Sequence, residues 1–235
     1  MKREKTLVLV PVGRAIEPEC ERGLSELTKR GYKVRAFPST AALDVARSVA
    51  ASQALADGMD DLVWIDSDIG FDADDLDRLC EHEASFTCAL YPKRGAAELA
   101  CHVLPGTAEL LFGEHGGLTE VLYAGMGFCR IRREVFADIR EKQSLPECRL
   151  GDKELFHPYF MPMMREPTSP GPMWYLAEDY AFCHRARLSG HPIFADTRIR
   201  LMHIGRYGYT WEDAMGDRTR YVNIRMKLGP PPKNE

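Results

Sequence analysis

The sequence predicts an α/β fold, a mostly parallel sheet with helices on both faces, followed by a smaller mixed or antiparallel part. Three observations carry this. Short apolar runs alternate with helix-forming segments over residues 7–91. One of the runs, Leu62-Val-Trp-Ile65, is continuous, as in a strand covered on both faces. Past Pro92 the pattern breaks into short segments separated by Gly and Pro.

Residues 7–11 read as the first strand. A helix over 17–30 follows, with Pro18 near its start and Gly31 just past its end. Residues 32–37 form a second strand, and 41–56 a helix ended by Gly58 that leads into the 62–65 strand. A short helix over 72–82 has Asp72 as its N-cap, and 85–91 is a fourth strand. Beyond Pro92, residues 102–103, 108–112, 118–124 and 128–131 read as smaller strands, and 133–142 as a helix. The stretch 144–175 contains six prolines and Met161-Pro-Met-Met164, and reads as a long irregular segment of the kind that is usually either functional or disordered. A helix over 178–189 ends at Gly190, and 193–195 and 199–203 are strand-like.

At 235 residues the chain can bury a substantial core. Its net charge of −4 offers no general attraction to nucleic acid or anionic membranes. The seven cysteines (Cys20, Cys80, Cys88, Cys101, Cys129, Cys148, Cys183) include no Cys-x-x-Cys pair, so neither a disulfide framework nor a thiolate zinc site is expected, and a reducing cytoplasm fits best. The apolar run after Met-Lys-Arg-Glu-Lys is too short for a signal peptide, and no run approaches the roughly 20 residues of a membrane span.

Asp66 and Asp68 fall where the 62–65 strand ends. Residues two apart in an extended chain point the same way, so both carboxylates are expected to face one cleft. That cleft lies beyond the carboxyl ends of the strands, where open α/β sheets bind ligands. Such oxygen ligands suit Mg²⁺ or Mn²⁺, which share their shells with substrate phosphates, so a phosphate ester is the implied substrate. In the competing reading both carboxylates merely solvate a turn, and Asp72, Asp74 and Asp75 open the next helix.

Four blocks, in order, resemble the GT-A class of nucleotide-sugar glycosyltransferases, particularly the small family 2-like members. They are Ala46-Arg47-Ser48; Asp66-Ser67-Asp68; Tyr123-Ala-Gly125-Met126-Gly127-Phe128 running on to Phe136; and Glu178-Asp179-Tyr-Ala-Phe182 followed by Met202-His203-Ile-Gly205. The resemblance implies one GT-A-like, Rossmann-type domain over 1–235. Its nucleotide-binding half would be 1–92, its acceptor-side half 93–228, and 229–235 a frayed tail. It also implies His203 as a third metal ligand beside Asp66 and Asp68, and places the nucleotide base at Pro11, Val12 and Gly13.

The activity implied is transfer of a sugar from a nucleoside diphosphate donor, with uridine favoured, to an acceptor hydroxyl. Asp66 contacts either the metal or the ribose, with Ser67 beside it at the donor. Arg47, Lys93 and Arg94 can reach the same sheet edge and would complement the diphosphate. Gly125 and Gly127 let the backbone approach a ligand closely, with Met126 against the donor sugar; turn glycines and a core methionine would look the same. Asp179 is the candidate general base, with Glu178 adjacent, and a base there implies inversion at the anomeric carbon. The helix dipole would lower the pKa of Asp179, and a nearby diphosphate would raise it. A glycan, a lipid-linked sugar, a small metabolite or a modified nucleobase all fit as acceptor.

Other readings stay open. A sugar-1-phosphate nucleotidyltransferase needs a glycine-rich basic loop after the first strand, and Val12-Gly-Arg14-Ala-Ile-Glu is sparse for that. A haloacid-dehalogenase-type phosphatase carries its Asp-x-Asp on the first strand. The non-enzyme reading is an inactive nucleotide-sugar binding module.

Overall fold

The computed structural model describes residues 3–39, 42–95, 98–151, 154–167, 170–205, 207–215, 219–220 and 222–228. The tail expected to fray lies outside them. The first half contains β1 (Thr6–Val12), α1 (Pro18–Lys29), β2 (Lys33–Pro38), α2 (Leu43–Ala56), β3 (Asp61–Ile65), β4 (Ile69–Gly70), α3 (Ala73–Glu81) and β5 (Phe86–Cys88). Then come β6 (Cys101–Val103), β7 (Glu109–Gly113), β8 (Leu118–Ala124), β9 (Phe128–Arg132) and α4 (Arg133–Lys142). Four short strands follow, β10 (Cys148–Leu150), β11 (Glu154–Phe156), β12 (Met163–Arg165) and β13 (Trp174–Leu176), leading into α5 (Glu178–Leu188). The chain continues through β14 (Ile193–Asp196), β15 (Met202–Ile204), β16 (Gly208–Tyr209) and β17 (Asn223–Lys227).

Local signals explain the helix limits. Pro18 occupies the first turn of α1, where its missing N–H costs nothing, and Gly31 leaves the helix with φ +90°. Asp72 caps α3, and the Asp75 carboxylate accepts the Asp72 N–H at 3.0 Å, closing a capping box.

Eight strands form the main sheet in the order β2-β1-β3-β9-β5-β14-β8-β6. Alternation along the strands splits the core into two apolar layers. Leu7, Leu9, Leu62 and Trp64 pack on one face with residues of α2, α4 and α5; Val8, Val10, Val63 and Ile65 pack on the other with residues of α1 and α3. The result is an α/β/α sandwich.

The sheet is mixed rather than mostly parallel, which corrects the expectation. β1 runs parallel to β2 and β3, and β5 to β14, but β9 lies antiparallel between β3 and β5, and β8 antiparallel to β14 and β6. Apolar periodicity reports burial on each face and carries no information about strand direction. A second correction concerns 144–175, which is not irregular throughout. β10 and β11 pair as one antiparallel ribbon, β12 and β13 as another. Residues 199–201 are not strand; β15 begins at Met202 and pairs with β4 and β16.

The seven cysteines are free thiols. No helix among the described residues is long and apolar enough to cross a membrane.

Candidate functional site

β3 is buried along its whole length and ends at Ile65, after which the chain turns at once: the Ile69 N–H donates to the Asp66 carbonyl at 3.0 Å. Asp66 and Asp68 therefore sit in a tight turn, not on an extended strand, and their carboxylates go to different partners. Asp66 Oδ1 accepts from Arg47 Nη2 at 2.7 Å. Arg47 comes from α2, is 2% exposed, and lays its guanidinium 5.3 Å from the centre of the Trp64 ring. Its Nε and Nη1 have no hydrogen-bond partner. Burial disfavours the charge on Arg47, but Asp66 and then Glu178 outweigh it and hold the pKa above its usual value. The orphaned N–H groups are donors without an acceptor.

Asp68 is reached from the other side. Its Oδ2 lies 3.1 Å from Arg94 Nη1 and 3.5 Å from His203 Nε2. Pairing of β15 with β4 sets His203 opposite Ile69, and the Ile204 N–H donates to the Asp68 carbonyl at 2.7 Å, so the sheet itself delivers the imidazole. His203 Nδ1 is 2.8 Å from the Pro92 carbonyl. A carbonyl only accepts, so Nδ1 carries a proton and the Nε2 edge is the one turned to Asp68. Burial pushes the Asp68 carboxyl up, but His203 and Arg94 outweigh it and leave it below its usual range.

These residues fit a divalent cation as a two-ligand site. A carboxylate and an imidazole held by a carbonyl on its far side suit Mn²⁺ or Mg²⁺, with phosphate and water oxygens completing the shell. The expected trio does not converge: Asp66 is committed to Arg47, and among the described residues no group of three or more His, Cys, Asp or Glu side chains is placed to hold a metal.

Five of the expected donor-side residues and the expected metal ligand Asp68 do come together. Pro11, Gly13, Asp66, Ser67, Asp68 and Arg94 border one cleft of about 580 Å³, joined by Arg14 and Ser39. Val12 ends β1 beside it. Lys93 does not belong there: its Nζ pairs with Glu98 at 2.9 Å, and it lines a separate cleft that contains His102. Gly125, Met126 and Gly127 are buried, with Met126 in the core, so they support the site from within and present no surface to a ligand. The reason for both glycines is Tyr91. The Gly127 N–H donates to the Tyr91 hydroxyl at 2.9 Å, and a Cβ at Gly127 would fall 2.6 Å from that oxygen. Tyr91 in turn meets the His203 ring edge-on at 5.2 Å.

Asp179 lies in the first turn of α5, where its Oδ1 accepts the Tyr180 N–H at 2.7 Å. Burial first, then the neighbouring Glu178 carboxylate, raise its pKa to about 6; Arg47 opposes this and Asp66 adds to it. The lowering expected from the helix dipole is thus overcome. Glu178 and Asp179 both act electrostatically on or with Arg47, which places α5, α2 and the Asp66 turn around one charged centre.

Reading the sequence missed Tyr91, Arg14 and Ser39. The Gly-x-Gly at 125–127 was a signal of close approach, but the approaching group is a side chain 36 positions away from Gly127. A roomier cleft of about 680 Å³ at the start of β3 is lined by Asp61, His82, Arg130 and Arg132; its buried charges are paired internally, with Asp61 and Arg130 at 2.6 Å.

The sequence matches no protein-family model and no curated protein. Among solved structures, the chain is similar to the crystal structure of A197 from STIV, with a TM-score of 0.54 and 16% sequence identity over 88% of this chain and 90% of that one. At that identity the likeness concerns the fold alone.

Proposed function

We propose that this protein is a metal-dependent glycosyltransferase that moves a sugar from a nucleoside diphosphate sugar, with uridine as the favoured base, to an acceptor hydroxyl. The observation that carries the reading is the set of charges tied to the cleft at the end of β1 and β3: Asp66, Asp68 and Arg94 border it, His203 and Arg47 pair with Asp68 and Asp66 from behind, and the elevated Asp179 is coupled electrostatically to Arg47 and Asp66. Asp68 and His203 would hold Mn²⁺ or Mg²⁺. A bound divalent cation supplies Lewis-acid neutralisation of the leaving diphosphate, worth on the order of several kcal/mol. Arg94 adds positive charge beside it, and Arg47 supports Asp66 from below and carries the unused donors.

Asp179 takes the proton of the acceptor hydroxyl. That oxygen bonds to the anomeric carbon from the face opposite the diphosphate as the carbon–phosphate-oxygen bond breaks, and the configuration inverts. A carboxylate with a pKa near 6 suits this work, because it is ionised at neutral pH yet more basic than an ordinary aspartate.

One observation favours a second reading, an inactive nucleotide-sugar binding module: Asp66 is locked to Arg47, which leaves Asp68 and His203 as the facing ligands among the described residues. Thermal denaturation with UDP-sugars and Mn²⁺ tests binding in either reading, because a ligand at 100 times its dissociation constant stabilises by about 2.7 kcal/mol. Mn²⁺-dependent hydrolysis or transfer of the bound donor then supports the enzyme; binding without turnover supports the module; no shift with any nucleotide sugar removes both.

A further inference from the structure

The ribbon of β12 and β13 pairs Met163 with Leu176, Met164 with Tyr175 and Arg165 with Trp174. Residues directly opposite in an antiparallel pair share a face. Leu176 is buried and Met163 packs against the core, so the face they share with Arg165 and Trp174 looks inward; Met164 and Tyr175 look outward. Trp174 nevertheless remains 55% exposed. This inward-facing indole, with more than half its surface uncovered, has no ring, cation or hydrogen-bond partner among the described residues.

Its surroundings are polar and aromatic together. Arg165, opposite Trp174 in the ribbon, acts electrostatically on Tyr123, whose hydroxyl lies 3.1 Å from His184 Nδ1. Tyr123 stacks on Tyr180 at 5.6 Å and 25°, and His102 meets Tyr180 edge-on at 4.8 Å. Tyr180 directly follows Asp179, and β13 runs into α5 through the single residue Ala177. Burial, then Lys93, hold the His102 pKa below its usual value, so at neutral pH the ring offers one donor and one acceptor. No ion pair to Arg165 occurs among the described residues, which leaves its guanidinium available to a ligand.

We propose that this inward face, with Trp174 as the stacking ring and Arg165, His102 and Tyr180 as hydrogen-bonding edges, is a binding platform for a saccharide acceptor. The chemistry matches a pyranose, which has an apolar C–H face and a rim of hydroxyls and so needs one flat apolar surface bordered by donors and acceptors. An acyl chain would need a closed apolar groove without a cation in it. A nucleobase would gain most from rings on both of its faces. Binding at the platform stands independently; its use as the acceptor site rests on the transferase reading.

The chain provides its own reporter. Of its three tryptophans, Trp64 and Trp211 are enclosed, so acrylamide quenching of the fluorescence reads Trp174. Titration with di- to tetrasaccharides of neutral hexoses and N-acetylhexosamines, without nucleotide, should lower the quenching constant at least twofold for one of these classes. Trp174→Ala should weaken binding of that saccharide at least tenfold by calorimetry, and Trp174→Tyr should restore most of it. Unchanged quenching across the panel overturns the platform, as does protection by uridine or by a prenyl phosphate in detergent in place of every saccharide. Stabilisation by UDP-sugars, measured on the same samples, separates the two ideas. Saccharide protection without nucleotide binding keeps the platform and sinks the transferase, and the reverse pattern removes the platform alone.

Discussion

Two regions flank Asp179 and they are built in opposite ways. In the Asp66–Asp68 turn every charged side chain is held by another: Arg47 by Asp66, Asp68 by Arg94 and His203, His203 by the Pro92 carbonyl. In the ribbon of β12 and β13 the apolar side chains are the ones left over, with Trp174, Tyr175 and Met164 all more than half exposed. Electrostatic groups work best when fixed before the ligand arrives, since reorganising them during reaction costs part of what they gain. A surface that must admit acceptors and release products can leave its apolar contacts to be completed by the ligand. If the protein is the proposed transferase, the contrast assigns pre-organisation to the phosphate side and adaptability to the hydroxyl side.

The largest expected effect comes from the organised region. Asp68→Ala should reduce metal-dependent turnover to background while changing stability by less than about 1 kcal/mol, because its carboxylate is part-exposed and its pairs with Arg94 and His203 are not core contacts. Initial rates against Mn²⁺ concentration, with a melting curve alongside, check both halves. Wild-type rates would reduce Asp68 to a turn residue and erase the contrast.

Next comes Asp179→Asn, which should cost about 10² to 10⁴-fold in transfer with donor affinity unchanged. The same variant carries a sign for stability. The folded pKa of Asp179, about 6, lies above that of an unfolded aspartate, so between the two values the folded state binds more protons and stability falls as pH rises. Asn keeps the acceptor for the Tyr180 N–H but removes the strained charge. At pH 7 it should therefore stabilise the fold, on the order of 2 kcal/mol, and below pH 4 the gain should vanish. Asp75, also raised to about 6, titrates in the same window, so the comparison must be variant against wild type rather than one protein across pH. Transfer by the wild type should rise with pH through about 6. A difference between variant and wild type that is the same at pH 4 and pH 7 would mean that Asp179 is not held in the environment described.

How much of this was legible in the sequence depends on what kind of signal each part leaves. The buried strand ending in carboxylates was readable, because Leu62-Val-Trp-Ile65 states its burial and the abrupt Asp66 states its end. The cleft at the end of β1 was readable for the same reason. Arg47 was not readable as a buried residue: an arginine on a helix ordinarily belongs to the surface, and only the Trp64 ring and Asp66 make its burial tolerable. The insertion of β9 between β3 and β5 was hidden because alternation is blind to direction. The two ribbons in 144–175 were hidden because three-residue strands are too short to show a period. The separation of Lys93 from Arg94, neighbours facing different clefts, depends on the Glu98 contact that no spacing encodes.

The smallest effect sharpens the contrast most. If 144–175 were one closing lid, hydrogen exchange would slow along its whole length when a UDP-sugar and Mn²⁺ bind. Its described parts are instead of two kinds. Phe156, Tyr159 and Phe160 are core residues, with the Phe160 N–H bonded to Ser48 Oγ at 3.1 Å and its ring stacked on Phe182 at 4.5 Å. The ribbon beyond them exposes Met164, Trp174 and Tyr175 and is joined to α5 within one residue of the charged centre. Amides around 156–160 should therefore be strongly protected in the free protein and unchanged by donor, while amides of 163–165 and 174–176 should exchange readily and slow by a few-fold to about tenfold on binding. Such slowing would exclude water beside Asp179 and suppress hydrolysis of the donor. Protection already complete in the free ribbon would make the two regions alike in rigidity. A uniform response across 144–175 would restore the single lid and assign the burial of Phe160 to one state among two.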